Sequence, residues 1–400
     1  MTLSQTEASM VKQSAKQEFS LGIDVLLASH RSWLTGRRVA LLSHQAAVCG
    51  NGATSAQRLH RELGKGLVAL FGPEHGFLGQ AGAGVPTYTR QHPDWKIPVY
   101  SLYGACRKPT PAMLRRVEVV VCDLQDLGAR CYTYLASLRN MLEAASENGV
   151  QVVIADRPIP LPNIVDGPVL EPGHASFVGP AAMTMATGMT QAEAALWLQQ
   201  SLGIKVDLQI VRMQAWARDG RRGADWPEFV PPSPGIRTWE SGMTYLATVF
   251  SEAMPGIDVG RGTNLAFRTL GAPWLRAQNF CERMNDRGLA GVRFHPHCYV
   301  AGVPPYAGRE LDGVRISVTD PARFHPVAAS VHVLHELATM YGPARVWRHK
   351  GVRPGWFDQL YGTSTVRQAL QRGAPPGEIV ATWQNRSRGF AASRKNMLLY

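Results

Sequence analysis

Several protein classes are excluded by what this chain of 400 residues lacks. No apolar run reaches the roughly eighteen residues that a membrane-crossing helix needs, so no membrane partner is expected. The opening MTLSQTEASMVKQSAKQEFSLG has no apolar core ahead of a small-residue cleavage site. Residues 1–20 therefore read as a disordered or loosely attached leader, and a cytoplasmic location is expected. The six cysteines are scattered without a CxxC pair, which argues against a disulfide framework or a cysteine-held zinc. Cys122 and Cys131 stand in apolar surroundings, as small buried hydrophobes do. P-loop, HExxH, GxSxG and kinase patterns are missing, and there is no internal repeat. HPHC at 295–298 has no evident partner set, and no metal is assigned.

Acidic residues are also few. Forty-two Lys and Arg face thirty Asp and Glu, a formal net charge of +12. Such an excess can steer an anionic ligand toward a cleft. The basic residues are dispersed, however, and clusters such as RDGRRG and NRSRGFAASRKN come with no zinc-finger spacing, RNP-like aromatics or leucine heptad. Specific nucleic-acid binding is not expected.

What is present is a repeated strand, loop and helix from about residue 22 to 200. Strand-like runs at 37–44, 66–72, 96–104, 117–126 and 150–158 are continuously apolar, as strands buried on both faces of a parallel sheet are. Helical patterns at 54–64 and 129–149 separate several of them. A third, MTQAEAALWLQQSLG, opens on Thr190 with Glu193 three places on, a capping box, and ends at Gly203. Beyond 204 an alternating strand, the proline-rich EFVPPSPGIRTW and a mixture of strands and helices indicate a different unit. The fold class is α/β: a mostly parallel sheet domain over 21–205 and a smaller α+β domain over 206–400.

Ligands of open parallel sheets bind beyond the C-terminal strand ends. Here those ends read Ser43-His44-Gln45, Glu74-His75, Asp123-Leu124-Gln125-Asp126 and Asp156-Arg157. Each has a structural alternative. Glu74 fits a surface loop, Asp123 and Asp126 fit turn or helix caps, Arg130 can pair with one of these acids, Asp156 with Arg157 fits an internal salt bridge, and His44 fits a satisfied polar residue. The glycines around Glu74 favour exposure to a ligand, because glycine permits close approach and tight turns. They are not a dinucleotide fingerprint, since Gly82 and Gly84 precede VPTY rather than a helix. A single well-aimed glutamate suits general acid catalysis: burial disfavours a charged carboxyl, letting it hold a proton for a leaving oxygen. Glycoside hydrolysis needs that proton and a second group.

The ordered segments FGPEHGFLGQAGAG, PVYSLYG, DLQDLGARCYTY, DRPIPLP, PPSPGI and VGRGTNLAF resemble the signatures of the DUF1343 family of NamZ-type exo-β-N-acetylmuramidases. The resemblance runs from about residue 22 to the terminal LLY. It implies a Rossmann-like first domain, a cleft closed by the smaller second domain, no nucleotide cofactor, Glu74 as catalytic acid with His75 beside it, and a small saccharide or muropeptide substrate losing N-acetylmuramic acid from its non-reducing end. On that basis Asp123, Asp126 and Asp156 are expected in supporting or base roles. Arg130, Arg157 or Arg261 are expected to meet a substrate carboxylate, and His44, Gln45, Gln125 and Glu252 to bind substrate; a homodimer is left open. The chain departs from the family pattern at ATGMT (186–190), where a basic residue and a histidine are usual. His44 also replaces an asparagine, and SEAMPG keeps Glu252 but loses another. These changes favour, as an alternative, a catalytically altered member that binds cell-wall saccharides.

Overall fold

A computed structural model describes residues 18–400. The first seventeen residues of the expected leader lie outside it, but Phe19 stacks on Trp226 at 4.8 Å between ring centroids and Ser20 pairs with Gln214. The apolar runs form β1 (Val39–Ser43), β2 (Leu67–Gly72), β4 (Pro98–Ser101), β5 (Val119–Asp123) and β6 (Gln151–Ala155), joined by a short β3 (Arg90–Gln91) and by β7 (Leu208–Val211). The sheet order is β3-β4-β2-β1-β5-β6-β7, parallel throughout except for the β3–β4 pair. The alternating strand after residue 204 is thus the edge of this sheet, which extends past the boundary expected at 205.

Burial on both faces explains the unbroken apolar runs. Ala40 and Leu42 of β1 pack into a core with Leu138 and Leu142 of the helix Tyr134–Asn148, while Val39 and Leu41 pack on the other side with Leu26 and Leu59. Alternate residues of one strand therefore enter opposite cores. The capping box at Thr190 and Glu193 is formed, and Gly149 and Gly203 close their helices in the left-handed conformation.

The second sheet is antiparallel, with β10 (Glu310–Val318) between β8 (Thr269–Gly271) and β9 (Val292–Val300). Its inward residues Phe294, Val314 and Ile316 join the same core as one face of the large sheet. A Rossmann-like sheet and a smaller strand-and-helix unit thus share a continuous apolar interior. Among the described residues, no helix is long and apolar enough to cross a membrane.

Candidate active site

The chain leaves β2 at Gly72 and turns at once. A Cβ at Gly72 would lie 2.5 Å from the Phe77 backbone nitrogen, so the EHG turn folds back tightly on its own strand. His75 holds φ of 70°, a left-handed conformation that non-glycine residues adopt at a cost. Its Nδ1 donates to the Ala81 carbonyl at 2.8 Å, which fixes the tautomer and leaves Nε2 free. The turn directs Glu74 toward the second half of the molecule.

Both oxygens of Glu74 are held. The Gly84 backbone N–H donates to Oε1 and the Thr133 hydroxyl donates to Oε2, each at 2.7 Å. Tyr103 stands beside it, its phenol pushed up to about 12 by burial and then by the Glu74 charge. Together these groups wall a cavity of about 750 Å³ whose far side comes from the second half: Glu252, Arg261, Arg353 and Trp356, with the 233–237 segment between. That volume lies within the range of small-ligand sites.

Glu252 is the second carboxylate of this cavity. Burial pushes its pKa up, opposed by Arg261 and reinforced by the Glu74 charge. Arg261 donates to its Oε1 at 3.2 Å and lies over the Phe267 ring, and Arg353 donates to its backbone carbonyl. Arg237, exposed at the cavity wall, makes no ion pair among the described residues. The Tyr132 hydroxyl, buried in the wall, has no hydrogen-bond partner there.

Of the residues expected from sequence, Glu74, His75, Glu252 and Arg261 line this cavity. The others do not, and each has its own partners. Asp123 is fully buried, takes Arg157 in a two-pronged salt bridge and accepts from the Ser55 hydroxyl. Arg157 also reaches the Val48 carbonyl. This cluster fills the crevice between β1 and β5, where the strand order reverses and an open sheet would otherwise offer its binding site. Asp126 accepts from the Leu127 and Gly128 N–H groups at 2.6 and 2.8 Å, with its pKa raised to about 6 by burial. Asp156 accepts from the Ala192 N–H at the start of helix Gln191–Leu202 and from the Tyr400 hydroxyl. Burial lifts its pKa to about 7.

Arg130 pairs with no acid. Its guanidinium donates to the Pro168, Met183 and Leu360 carbonyls, tying the two halves together, and burial lowers its pKa to about 10. His44 is neutral, lowered to about 3 by burial and by the nearby Arg157. It accepts from the Gln125 N–H at 2.9 Å and shares its other nitrogen with the Tyr134 hydroxyl, which donates to the Pro232 carbonyl. The Gln125 side chain donates to the Asp126 and Pro158 carbonyls, and Gln45 donates to the Pro231 carbonyl. Gln45 and Tyr134 thus hold Pro231 and Pro232, which lead into the 233–237 wall of the cavity. The altered 186–190 segment is also outside the wall: Thr187 bonds the Gly128 carbonyl and Ala186 pairs with Asp166.

Sequence reading missed Tyr103, Thr133, Arg237 and Arg353. Tyr103, Thr133 and Arg237 sit inside the YSLYG, ARCYTY and PPSPGIRTW segments, whereas nothing in the local pattern marks Arg353.

The fold and site define a two-part α/β protein whose cavity pairs two carboxylates between its halves. The family models described as the N-terminal and C-terminal parts of the exo-β-N-acetylmuramidase NamZ match residues 39–240 and 243–400, so the chain belongs to the NamZ (DUF1343) family of glycosidases. It is 34% identical over 390 residues to the peptidoglycan β-N-acetylmuramidase NamZ of Bacillus subtilis (strain 168), covering 97% of this chain and 93% of that one. Two crystal structures of DUF1343 family proteins from Bacteroides fragilis share the fold. One has TM-score 0.88 at 28% identity and the other 0.73 at 25%, each covering 96% of this chain and 99% of its own.

Proposed function

We propose that the chain is an exo-acting glycosidase that releases a β-linked N-acetylmuramic acid, or a closely related acidic amino sugar, from the non-reducing end of peptidoglycan-derived fragments. The observation that carries this reading is Glu74, aimed by a strained turn into a cavity that holds a second carboxylate and three arginines. Glu74 gives its proton to the glycosidic oxygen as the bond to the anomeric carbon breaks. Water adds to that carbon and its proton passes to Glu252, so that the leaving sugar departs as an alcohol and the muramyl unit as a hemiacetal, and proton exchange with solvent returns both carboxyl groups to their starting states. Thr133 holds Glu74 in either protonation state, because a hydroxyl can donate to the carboxylate or accept from the acid. The raised pKa of Glu252 makes it a better proton acceptor, while Arg261 keeps it oriented.

Arg237 is assigned to the acidic substituent of the sugar. Arg261 and Arg353 are both engaged by Glu252, whereas the Arg237 guanidinium, with no ion pair among the described residues, can present a planar fork to a carboxylate. Product analysis with β-linked muramyl, N-acetylglucosaminyl and uronic disaccharides tests the reading. Release of the muramyl unit alone is expected, and release of the neutral amino sugar with the muramyl substrate left intact would overturn it.

A further inference from the structure

A second hollow of about 390 Å³ adjoins the first and shares His75 with it. The loop after the EHG turn runs between them as a ridge. Ala83 and Gly84 face the glutamate cavity, while Ala81 and Pro86 face the other hollow. Gly84, on the cavity side of this loop, is the residue whose N–H meets Glu74.

The second hollow is chemically distinct. Its walls present Phe77, Leu78, Tyr88 and Tyr100, with Gln80 and Arg90 at the rim. Leu78, Val85 and Tyr88 are 47%, 50% and 85% exposed, and among the described residues the remaining exposed large hydrophobics are only Leu202 and Val300. Three of five on one loop make a cluster, and clustered exposed apolar groups mark an interaction site where scattered ones do not. The strand side of Tyr88 is anchored: Thr87 donates its N–H to the Tyr103 carbonyl at 2.9 Å and shares a 2.6 Å hydrogen bond with the Ser101 hydroxyl. Arg90 has no ion-pair partner among the described residues. Aromatic faces for the C–H side of a pyranose, rimmed by an amide and a guanidinium for its hydroxyls, suit a neutral sugar.

We propose that this groove holds the departing, reducing-end sugar of the substrate, with the Tyr88 ring as its stacking platform. The proposal rests on the glycosidase reading above, which leaves the leaving group's position unassigned. It makes the enzyme sense two residues of its substrate, with the scissile bond over the ridge at His75.

The test compares wild type with Tyr88→Ala and Tyr88→Phe on a β-linked muramyl disaccharide and on the corresponding glycosyl fluoride, whose leaving group is a single atom. Tyr88→Ala is expected to lower kcat/KM for the disaccharide roughly tenfold, mainly through KM, as loss of one aromatic contact does. Fluoride turnover should be unchanged, and Tyr88→Phe should restore the disaccharide rate because the ring face supplies the contact. Equal losses on both substrates, or no loss on either, would overturn the groove assignment while leaving the glycosidase reading intact. Failure of wild type to cleave either substrate would instead remove that reading and this groove with it.

Discussion

At the scale of single residues, the four carboxylates at or just beyond the ends of β2, β5 and β6 do unlike work because their partners differ. Glu74 accepts a backbone N–H and a hydroxyl at the wall of an open cavity, whereas Asp123 is closed off by Arg157 and Ser55. Removing one side of a buried ion pair strands the other charge, which costs about 3–5 kcal/mol. Arg157→Met and Asp123→Asn should each lower the unfolding free energy by that order in urea titrations, and the double variant should lose less than their sum. Asp156 carries a pH signature. Its native pKa of about 7 stands above the ordinary value of 3.8. Between those values the native state keeps a proton that the unfolded chain releases, so stability falls as pH rises and the slope ends above the native pKa. Asp126, raised to about 6, acts in the same direction over a narrower window. Asp156→Asn mimics the protonated acid, and denaturation from pH 5 to pH 8 should show a shallower loss in the variant than in wild type.

At the scale of elements, the strands were legible because burial on both faces forces continuous apolar runs, and the capped helices because Thr190, Glu193, Gly149 and Gly203 carry their end signals in the chain. The helix expected from 129 begins only at Tyr134, since Ala129–Thr133 bends to send Arg130 into its ring of carbonyls and Thr133 onto Glu74. Those partners lie far away in sequence, and no local pattern announces them. The same holds for Asp123, Asp126 and Asp156: a strand-end position is readable, but whether a distant arginine, a backbone N–H or a ligand meets the carboxylate is decided by packing. The turn after β2 is the element on which the site depends. Gly72→Ala should lower kcat/KM by at least about tenfold, because a Cβ there meets the Phe77 backbone and displaces the glutamate, and misplacement of that order is costly. A circular dichroism spectrum and a melting curve separate this from loss of fold.

At the scale of the whole molecule, the cavity exists only where the two halves meet. The large sheet contributes Glu74, Tyr103 and Thr133, and the later segment contributes Glu252, Arg261 and Arg353. The family-like motifs around Glu74 and Arg261 were readable separately, but their apposition required the fold. The net charge of +12 gives a field that favours the approach of anionic ligands in general. Raising salt from about 0.02 M to about 0.3 M should therefore lower kcat/KM severalfold for an acidic substrate and little for a neutral analogue.

Glu74 as proton donor to the leaving oxygen is put to the test by steady-state turnover of a β-linked muramyl disaccharide by Glu74→Gln. The amide preserves shape and can still take the Gly84 N–H, but it has no acidic proton to give. Turnover should fall by about a thousandfold while the folded state persists, as loss of a positioned general acid does. A Glu74→Gln protein that cleaves the disaccharide at the wild-type rate would show that another group protonates the leaving oxygen.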